Sequence, residues 1–300
     1  MPAGTGSPAA DGVFPRTVGH FGGSTAVPAA PQRVVVIATG QLDSVLTLGQ
    51  VPVGAAAGEG AAAVPAYIAS AFPQQVAALQ RIAPVGTRIE PDMEALVVAK
   101  PDLILANKAA SEAIYPRLSA IAPTVLTEGT GVNWKQDFLL IAAALGRTGA
   151  AERFLSEYHA RGLRLGQSVA AAPPAISMVR FNPGRTRVFG LPSFGGSIAY
   201  DAGLGRPAGQ QFAATSQDLG PEQTARMDGD WIFYSVQGEP GKTAAPEVLS
   251  GPLWAGLAAV KSGHAVQVDD DPWYLNAGPA AALVLLGDLE RSLGRPPGAR

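Results

Sequence analysis

The chain contains no cysteine, and this absence removes several kinds of chemistry at once. Without a thiol there is no disulfide, no thiolate metal site and no cysteine nucleophile. Only three histidines occur, and the predicted elements that hold them are a hairpin, a long helix and a late strand: His20, His159 and His264. Because these side chains cannot easily converge on one ion, we expect no resident metal. The aspartates at 269–271 are typical of a solvated turn.

Charge is also scarce, since only 15% of the residues are Asp, Glu, Lys or Arg and the net charge is −2. Such a chain offers no basic field to a phosphate backbone, so nucleic acid is not an expected partner. No apolar run approaches the roughly 18 to 20 residues that a membrane helix needs. We therefore do not expect the folded part to span a bilayer.

Sequence motifs of common enzymes are missing as well. No Gly-x-Gly-x-x-Gly follows the first predicted strand, and no phosphate loop with Gly-Lys-Ser/Thr is present. Ser193 is followed two places later by Gly195, but Leu191 stands where a nucleophile elbow needs its first glycine. The sequence therefore favours a protein that is not an enzyme.

The most informative positive feature is a pattern of alternating strand and helix signals that occurs twice. One series runs from Val34 to Leu145 and the other from Ile176 to Leu293, with a long helical stretch between them. Alternation of this kind indicates mostly parallel sheets, so we expect an α/β fold with two Rossmann-like lobes joined by a single long helix. A cleft between two lobes is the default place for a small ligand.

The predicted domain boundaries follow from composition and from helix signals. Residues 1–12 are small, polar and rich in Pro and Gly, which predicts a flexible tether. Thr148 can cap the linking helix, and Pro173-Pro174 ends it. The full division is a tether at 1–12, an N-terminal lobe with a leading hairpin at 13–146, a connecting helix at 147–172, a C-terminal lobe at 173–295 and a tail at 296–300.

Several runs of residues carry a resemblance to a known family. They lie in register from about Phe14 to Leu293, and they are Pro31–Val36, Val85–Leu96, Lys100–Leu105, Phe189-Gly190 with Gly195–Ile198, Gly220–Gln223, Pro252–Trp254, Val260–Gly263 and Trp273. In these runs the chain resembles the substrate-binding proteins of bacterial ABC importers for ferric siderophores and cobalamin.

The resemblance implies a class III periplasmic-binding-protein architecture and a transport function. Such a receptor holds an iron(III)-siderophore chelate in the cleft and delivers it to an ABC transporter permease. It has no intrinsic cofactor, and we expect a monomer. It would be periplasmic or a cell-surface lipoprotein outside the cytoplasmic membrane, with a signal peptide and a lipid-anchor cysteine that this sequence does not contain.

The segment around Arg88 most resembles the ferric hydroxamate-binding branch, in which an arginine of this loop contacts the iron-coordinating oxygens. Hydroxamate oxygens keep partial negative charge on iron, and a guanidinium can donate a fork of hydrogen bonds to them. Arg180, at the end of a predicted strand, is a second candidate anchor. Phe194 lies where some relatives present an arginine, which argues against a strongly anionic ligand.

Aromatic residues form the rest of the predicted ligand site. Trp273 and Tyr274 match an aromatic pair that lines the family's cleft, and flat rings suit the greasy shell of a siderophore chelate. Trp134 and Phe212 are further candidates, although all four rings could instead be core residues.

Glu94 and Glu222 match family positions that present carboxylates to arginines of the permease, one in each lobe. The helix dipole alone also favours acids in a first helical turn.

Other functions stay open at this point. The ligand could be a catecholate siderophore, cobalamin or haem, and a hydrolase that uses Ser193 on the same scaffold is a further alternative.

Overall fold

The computed structural model describes residues 2–129, 131–169 and 172–294. The chain forms two compact units. Unit 1 comprises the residues up to Ser156 together with Leu275–Ala281, and unit 2 comprises Glu157–Tyr274 and the residues from Ala282 onward. The predicted C-terminal lobe included 275–281, which the structure instead returns to unit 1. The predicted tail at 296–300 lies outside the described residues.

Unit 1 is built on a parallel five-stranded sheet with the order β5-β4-β3-β6-β7. Its central strands β3 and β6 are buried along their whole length, as expected for parallel strands covered on both faces. This strand order reverses next to β3, as in a Rossmann-like fold. The strands are β3 (Val34–Val36), β4 (Gly54–Ala57), β5 (Ala83–Thr87), β6 (Leu103–Asn107) and β7 (Thr124–Thr127).

Seven helices of unit 1 surround this sheet. They are α1 (Gln41–Thr47), α2 (Ala66–Ala71), α3 (Val76–Leu79), α4 (Met93–Ala99), α5 (Lys108–Ser111), α6 (Tyr115–Ile121) and α7 (Trp134–Leu145), with short 3-10 turns at Pro73–Gln75, Glu112–Ile114 and Gly131–Asn133.

A two-stranded antiparallel hairpin, β1 (Arg16–His20) and β2 (Gly23–Val27), lies against β7, as the sequence predicts. His20 connects the two parts. Its Nδ1 accepts hydrogen bonds from the backbone N–H of Gly22 at 3.0 Å and of Leu126 at 3.3 Å. Burial lowers the pKa of His20, which is therefore a neutral structural residue of unit 1.

The segment predicted as a flexible tether is instead packed on unit 1. Gly6 pairs with Gly19, and the Gly12 N–H donates to the carbonyl of Gly146 at 3.0 Å. The carboxylate of Asp11 accepts from the N–H groups of Thr148 and Gly149 at 2.7 and 2.8 Å. Composition did not predict this packing, because backbone groups and the single carboxylate of Asp11 form the contacts, and every residue type has backbone groups.

Helix α8 (Thr148–Ser168) occupies most of the range predicted as the connecting helix, and it begins in unit 1 and ends in unit 2. Asp11, not the predicted Thr148 side chain, caps its first turn. In the second half of α8, Gly166 allows a close approach of the chain after α9 (Phe194–Asp201). A Cβ at this glycine would lie 2.2 Å from the Ala202 carbonyl oxygen.

Unit 2 contains a mixed five-stranded sheet with the order β10-β9-β8-β11-β12. Strands β8, β11 and β12 pair in parallel, whereas β9 pairs antiparallel with both β8 and the edge strand β10, so that β9 alone runs against the other four. The strands are β8 (Ile176–Asn182), β9 (Arg185–Phe189), β10 (Ser216–Leu219), β11 (Trp231–Val236) and β12 (Ala265–Gln267). Two α/β units with mostly parallel strands therefore confirm the predicted fold class.

The remaining helices of unit 2 are mostly short. They are α10 (Ala245–Ser250), α11 (Pro252–Ala255), α12 (Ala258–Lys261) and α13 (Pro279–Leu293), with 3-10 turns at Ala208–Gln210, Pro221–Met227 and Pro240–Lys242 and a π-helical turn at Asp271–Leu275. Like α8, helix α13 passes from one unit to the other, because its first residues belong to the unit 1 segment Leu275–Ala281.

Two glycines of α8 should respond in opposite ways to alanine. Gly166→Ala places a methyl group against the Ala202 carbonyl, so it should destabilise the protein by about 1–3 kcal/mol. Gly162→Ala meets only ordinary contacts, the nearest at 3.5 Å, and should stabilise the helix by about 0.5–1 kcal/mol. Urea unfolding midpoints test both, and equal shifts for the two variants would contradict the packing of α8.

Candidate functional site

Arg88 lies at the carboxyl edge of the unit 1 sheet, directly after β5. Its backbone N–H donates to the carbonyl of Ala57 at the end of β4, 2.9 Å away. Its Nη2 is 2.9 Å from Glu59 Oε2, and the two side chains are 28% and 62% exposed. Ion pairs this exposed contribute at most about 1 kcal/mol, so a ligand could compete with Glu59 at little cost.

One donor of Arg88 is still unused. The Nε atom is buried and has no hydrogen-bond partner among the described residues. A buried N–H without an acceptor is costly, so an additional oxygen beside Arg88 would be favourable. This geometry is compatible with the predicted role of Arg88, which stays a prediction.

Trp134 opens α7, but its side chain is only 2% exposed. The ammonium of Lys135 lies 5.9 Å from the centre of its ring. No broad ring face of Trp134 is open in this structure. The sequence could not distinguish this buried setting from a ligand wall, since an aromatic residue at a helix start suits either.

Asp137, one turn further along α7, holds the loop that follows β7. Its carboxylate accepts from the N–H groups of Glu128 at 3.0 Å and Gly129 at 2.9 Å. Burial raises the pKa of Asp137 to about 6, and the two N–H donors oppose this shift.

Asp43 is a buried carboxylate that the sequence analysis missed. It is 1% exposed and accepts from the N–H groups of Ala280 and Ala281 at 3.0 and 2.9 Å, and from the Tyr67 hydroxyl at 3.3 Å. It therefore caps α13 from a distant part of the chain. Burial raises its pKa to about 7, although the three donors favour the anion. Its only sequence signal is an aspartate within an apolar helix.

A small pocket adjoins Asp43 at the carboxyl ends of β3 and β4. Thr39, Gly58, Tyr67 and Asn276 are among its lining residues. It has room for a water molecule but not for an iron chelate. The pocket is therefore a packing gap beside the segment Leu275–Ala281 within unit 1.

Arg180 lies within β8 of unit 2 and is already paired. Its Nε and Nη2 donate to the two carboxylate oxygens of Asp270 at 2.7 and 2.5 Å, and the Ser235 hydroxyl donates to the same carboxylate at 2.6 Å. The side chains of Arg180 and Asp270 are only 8% and 15% exposed. The predicted anchor is therefore a buried, charge-compensated arginine, because the aspartate run supplies its partner.

Asp271 directly follows the residue that pairs with Arg180. Burial is the main cause that raises its pKa to about 6, and the neighbouring carboxylates of Asp269 and Asp270 raise it further. The charge of Arg180 opposes the shift. The aspartate run therefore contains one partner of a buried cation and is not simply a solvated turn.

Trp273 is packed inside unit 2. It is 1% exposed, its ring stacks on Phe233 at 4.9 Å, and its Nε1 donates to Asp288 at 2.7 Å. One ring face and the polar edge are thus occupied. The structure places Trp273 behind the surface, where it supports the π-helical turn.

Tyr274 is half-buried as a residue, and its hydroxyl end is fully enclosed. Its hydroxyl donates to the Phe233 carbonyl at 2.8 Å, and its ring lies 4.7 Å from that of Phe189 with a tilt of 35°. Burial raises its pKa, whereas the nearby charge of Arg206 lowers it. Tyr274 is therefore a neutral, fixed aromatic surface.

The two predicted phenylalanines differ in accessibility. Phe194 is 7% exposed and begins α9, where the sequence predicts a loop. Phe212 is half-buried, and its ring covers Gly190 so closely that a Cβ there would lie 2.5 Å from it. Phe212 is thus the more accessible candidate.

Arg206 is a second buried arginine of unit 2, and it is not among the residues predicted from sequence. It is 7% exposed. Its Nη2 donates to the Phe189 carbonyl at 2.6 Å and to Gln210 Oε1 at 2.7 Å, and its Nη1 lies 3.2 Å from the Met178 sulfur. An arginine between Gly205 and Pro207 in an otherwise uncharged loop is the signal that could have drawn attention to it.

Glu94 and Glu222 are both exposed. Glu94 lies in the first turn of α4, which Asp92 caps by accepting from the N–H groups of Glu94 and Ala95, each at 3.0 Å. Glu222 lies in the 3-10 turn Pro221–Met227. Each carboxylate is therefore exposed on the surface of its own unit, where a partner protein could reach it.

Neither a cluster of metal ligands nor a membrane-spanning helix occurs in the part of the chain that the structure describes. Among residues 2–129, 131–169 and 172–294, no three His, Asp or Glu side chains are grouped so that they could hold a metal ion. Over the same ranges, no helix combines the length and the apolar character that crossing a membrane requires.

Comparison with protein families assigns the chain. The family model described as "Periplasmic binding protein" matches residues 34–272. The chain belongs to this periplasmic binding protein family.

Named members of the periplasmic binding protein family are similar over nearly the whole chain. The probable siderophore-binding lipoprotein YfiY of Bacillus subtilis is 33% identical over 92% of this chain and 86% of its own length. The Fe(3+)-citrate-binding protein YfmC of the same organism is 30% identical over 84% of this chain and 77% of its own. The predicted resemblance is thus confirmed.

A solved structure gives the same result. SirA of Staphylococcus aureus, complexed with staphyloferrin B, superimposes with a TM-score of 0.80 at 29% identity. The alignment covers 93% of this chain and 98% of SirA. The architecture derived from the strand and helix pattern is therefore that of a siderophore-binding relative.

Asp43 should make the stability of this periplasmic binding protein depend on pH. Its folded pKa of about 7 lies above its ordinary value of 3.8, so the folded state holds a proton that the unfolded state releases. The stability that protonated Asp43 contributes is complete below about pH 4 and is lost as the pH rises towards about 7. Asp43→Asn cannot ionise, so its stability relative to wild type should increase over this range.

Thermal unfolding of both proteins at several pH values measures this difference. Glu247→Gln, which changes an exposed carboxylate, should follow the wild-type curve. Parallel curves for wild type and Asp43→Asn would show that Asp43 is ionised throughout.

Proposed function

We propose that this protein captures a ferric siderophore outside the cytoplasmic membrane and delivers it to an ABC transporter permease. The observation that carries the proposal is the similarity to YfiY, which is named a siderophore-binding lipoprotein, over 92% of the chain. The fold-level match to SirA with its bound staphyloferrin B supports the same ligand class. By analogy with YfiY, we infer a periplasmic or lipid-anchored location.

The relatives also support binding without catalysis. YfiY and YfmC are both named for what they bind. Ser193, the one residue considered as a nucleophile, is 1% exposed, donates to the Gly190 carbonyl at 2.7 Å and accepts from the Gly196 N–H at 3.0 Å. Its hydroxyl is thus engaged as a helix cap, which argues against the hydrolase alternative.

We favour a hydroxamate siderophore because the accessible positive charge is small. Arg88 keeps a spare donor but shares its charge with Glu59, and Arg180 is neutralised by Asp270. Two arginines compensated in this way suit a chelate that carries much less negative charge than a tris-catecholate complex of iron. A catecholate complex of iron carries several negative charges and would require more free cations.

A citrate-type ferric complex is the second candidate. The observation in its favour is YfmC, which is named an Fe(3+)-citrate-binding protein and is 30% identical to this chain. The spare Nε–H of Arg88 could donate a hydrogen bond to a carboxylate oxygen as readily as to a hydroxamate oxygen.

The proposed contacts divide by accessibility. Arg88 in unit 1 and Tyr274 and Phe212 in unit 2 are partly exposed and are the proposed direct contacts. The remaining predicted residues are buried, and we propose that they support the contact surface from behind: Trp134, Trp273, Phe194 and Arg180. A location of the ligand between the two lobes stays a prediction.

Docking of the permease through Glu94 and Glu222 is part of the proposal. Glu94 has two exposed apolar neighbours one turn away on α4, Val97 at 56% and Val98 at 77% exposure. An exposed apolar pair beside a carboxylate is typical of an interaction surface that a partner covers. The receptor itself is proposed to act as a monomer.

Removal of the Arg88 charge should weaken ligand binding. We expect a ferric trihydroxamate to quench the tryptophan fluorescence of the wild type with a submicromolar Kd, and Arg88→Met to raise that Kd by about tenfold, since one charge-assisted contact is lost. Ferric dicitrate, titrated in parallel, distinguishes the two ligand candidates.

The matched control is Arg81→Met. It removes an exposed arginine of the same unit and so changes the net charge equally. It should bind as the wild type does. If no ferric complex of either class quenches the fluorescence, the proposed function is wrong.

The docking residues should affect transport but not capture. In cells that depend on this receptor for iron, Glu94→Lys combined with Glu222→Lys should reduce uptake at least tenfold by repelling cationic permease residues, with the Kd for the chelate unchanged. A control pair, Glu112→Lys with Glu247→Lys, changes exposed acids elsewhere in the two units. Equal uptake by both pairs would exclude this docking surface.

A further inference from the structure

Arg206 is a buried cation with no anionic partner in the part of the chain that the structure describes. Its hydrogen bonds reach a carbonyl, an amide oxygen and a sulfur, and its Nε has no partner among the described residues. None of these groups carries a negative charge. Hydrogen bonds satisfy the donors of a guanidinium but do not neutralise it, so the charge remains largely uncompensated within the described chain.

The charge persists at neutral pH. Burial lowers the pKa of Arg206 to about 10, and this value still lies well above the pH of any extracytoplasmic compartment. The guanidinium therefore stays protonated in the folded protein. Its field is weakly screened, because few water molecules and salt ions reach it.

Two other arginines of unit 2 are paired with carboxylates, and the comparison shows what is unusual about Arg206. Arg180 has both carboxylate oxygens of Asp270, and Arg161 has both oxygens of Glu290 at 2.8 and 2.6 Å. Arg206 is as buried as Arg180 but has neutral oxygens in the corresponding places. The energetic cost of its burial is therefore not offset by an ion pair.

The position of Arg206 relates this charge to the proposed ligand contacts. Its Nη2 is bonded to the backbone oxygen of Phe189, whose ring packs on Tyr274. The charge is close enough to Tyr274 to lower the pKa of its hydroxyl. A ligand beside the partly exposed Tyr274 would therefore experience the same positive potential.

We propose that Arg206 is a specificity-determining residue, which favours iron complexes with a net negative charge over neutral complexes of similar size. This inference rests on the proposed function and deepens it. Hydroxamate ligation and a negative charge are compatible when the chelator also carries a carboxylate. The ligand would supply the counter-charge that the chain does not.

A structural role alone is the competing explanation. Gln210 receives a hydrogen bond from Arg206 and itself donates to Ser177 at 2.7 Å, so Arg206 also holds the loop before β10 in place. Loss of that contact would weaken binding of all ligands equally. Charge selectivity therefore separates the two explanations.

The test compares two probes on three proteins. Ferric dicitrate is the anionic complex, a neutral ferric trihydroxamate is the reference, and Kd values come from fluorescence titration of wild type, Arg206→Met and Arg206→Lys. A unit charge roughly 10 Å away at an effective dielectric constant of about 20 corresponds to about tenfold in affinity. We expect Arg206→Met to lose about tenfold for the anion and less than about twofold for the neutral complex, and Arg206→Lys to retain the preference.

Two controls isolate the charge. Arg161→Met removes one positive charge from unit 2 at a paired site, and it should leave the ratio of the two Kd values unchanged. Gln210→Leu removes the loop contact but keeps the Arg206 charge, and it should also preserve the ratio. If Arg206→Met does not fold, Arg206→Gln replaces it, because glutamine can still donate a hydrogen bond without a charge.

The outcomes are distinct. If Arg206→Met weakens both complexes by the same factor, or if Arg161→Met changes the ratio equally, the inference is overturned while the proposed function stands. If the wild type binds neither complex, the proposed function fails, and iron-free citrate then tests the charge. Citrate should raise the unfolding temperature of the wild type more than that of Arg206→Met, and equal shifts overturn the inference.

Discussion

The ion pair between Arg180 and Asp270 determines how much positive charge unit 2 can offer to a ligand. Both side chains are almost excluded from water, and their two short hydrogen bonds, with a third from Ser235, satisfy the carboxylate completely. A buried pair of this kind is costly to break, because either partner would be left as an uncompensated charge. Arg180 is therefore fixed as a structural cation.

Because Asp270 neutralises the charge of Arg180, the charges of Arg88 and Arg206 are the ones to compare next. Arg88 shares its charge with the exposed carboxylate of Glu59 and can exchange it easily, whereas Arg206 has only neutral partners. The positive charge of these two arginines thus lies in an exposed ion pair of unit 1 and in a buried cation of unit 2. The aromatic rings of Tyr274 and Phe189 provide surface beside the second of these.

Unit 1 also contains buried carboxylates, but these accept hydrogen bonds from backbone N–H groups and do not pair with an arginine. Asp43 caps the first turn of α13 from the distant helix α1, and Asp137 fixes the loop after β7. Glycines make the first arrangement possible, since a Cβ on Gly278 would lie 2.6 Å from both carboxylate oxygens of Asp43. The last helix of the chain therefore depends on one aspartate and one glycine far apart in sequence.

The amino-acid sequence by itself determined the central strands, the linking helix and the family, because apolar runs and local motifs carry that information. The apolar run Trp231–Val236 by itself predicts a strand with the observed bounds of β11, whereas no such run marks β5 and β10, so sequence alone misses both. Both missed strands lie at sheet edges, where Pro84 and Gly86 in one and polar residues in the other are tolerated.

Only the tertiary structure decided which charges are free. The sequence does not distinguish Arg88, Arg180 and Arg206 from one another. Arg88 is paired with Glu59, and Arg180 is paired with Asp270, which lies ninety residues away in the chain. Arg206 has no carboxylate among its described contacts. Charge compensation acts over a few ångströms in space, and residue order does not encode those distances. Burial of Trp134 and Trp273 was undetermined for the same reason, because a ring that lines a site and a ring that fills a core follow the same sequence pattern.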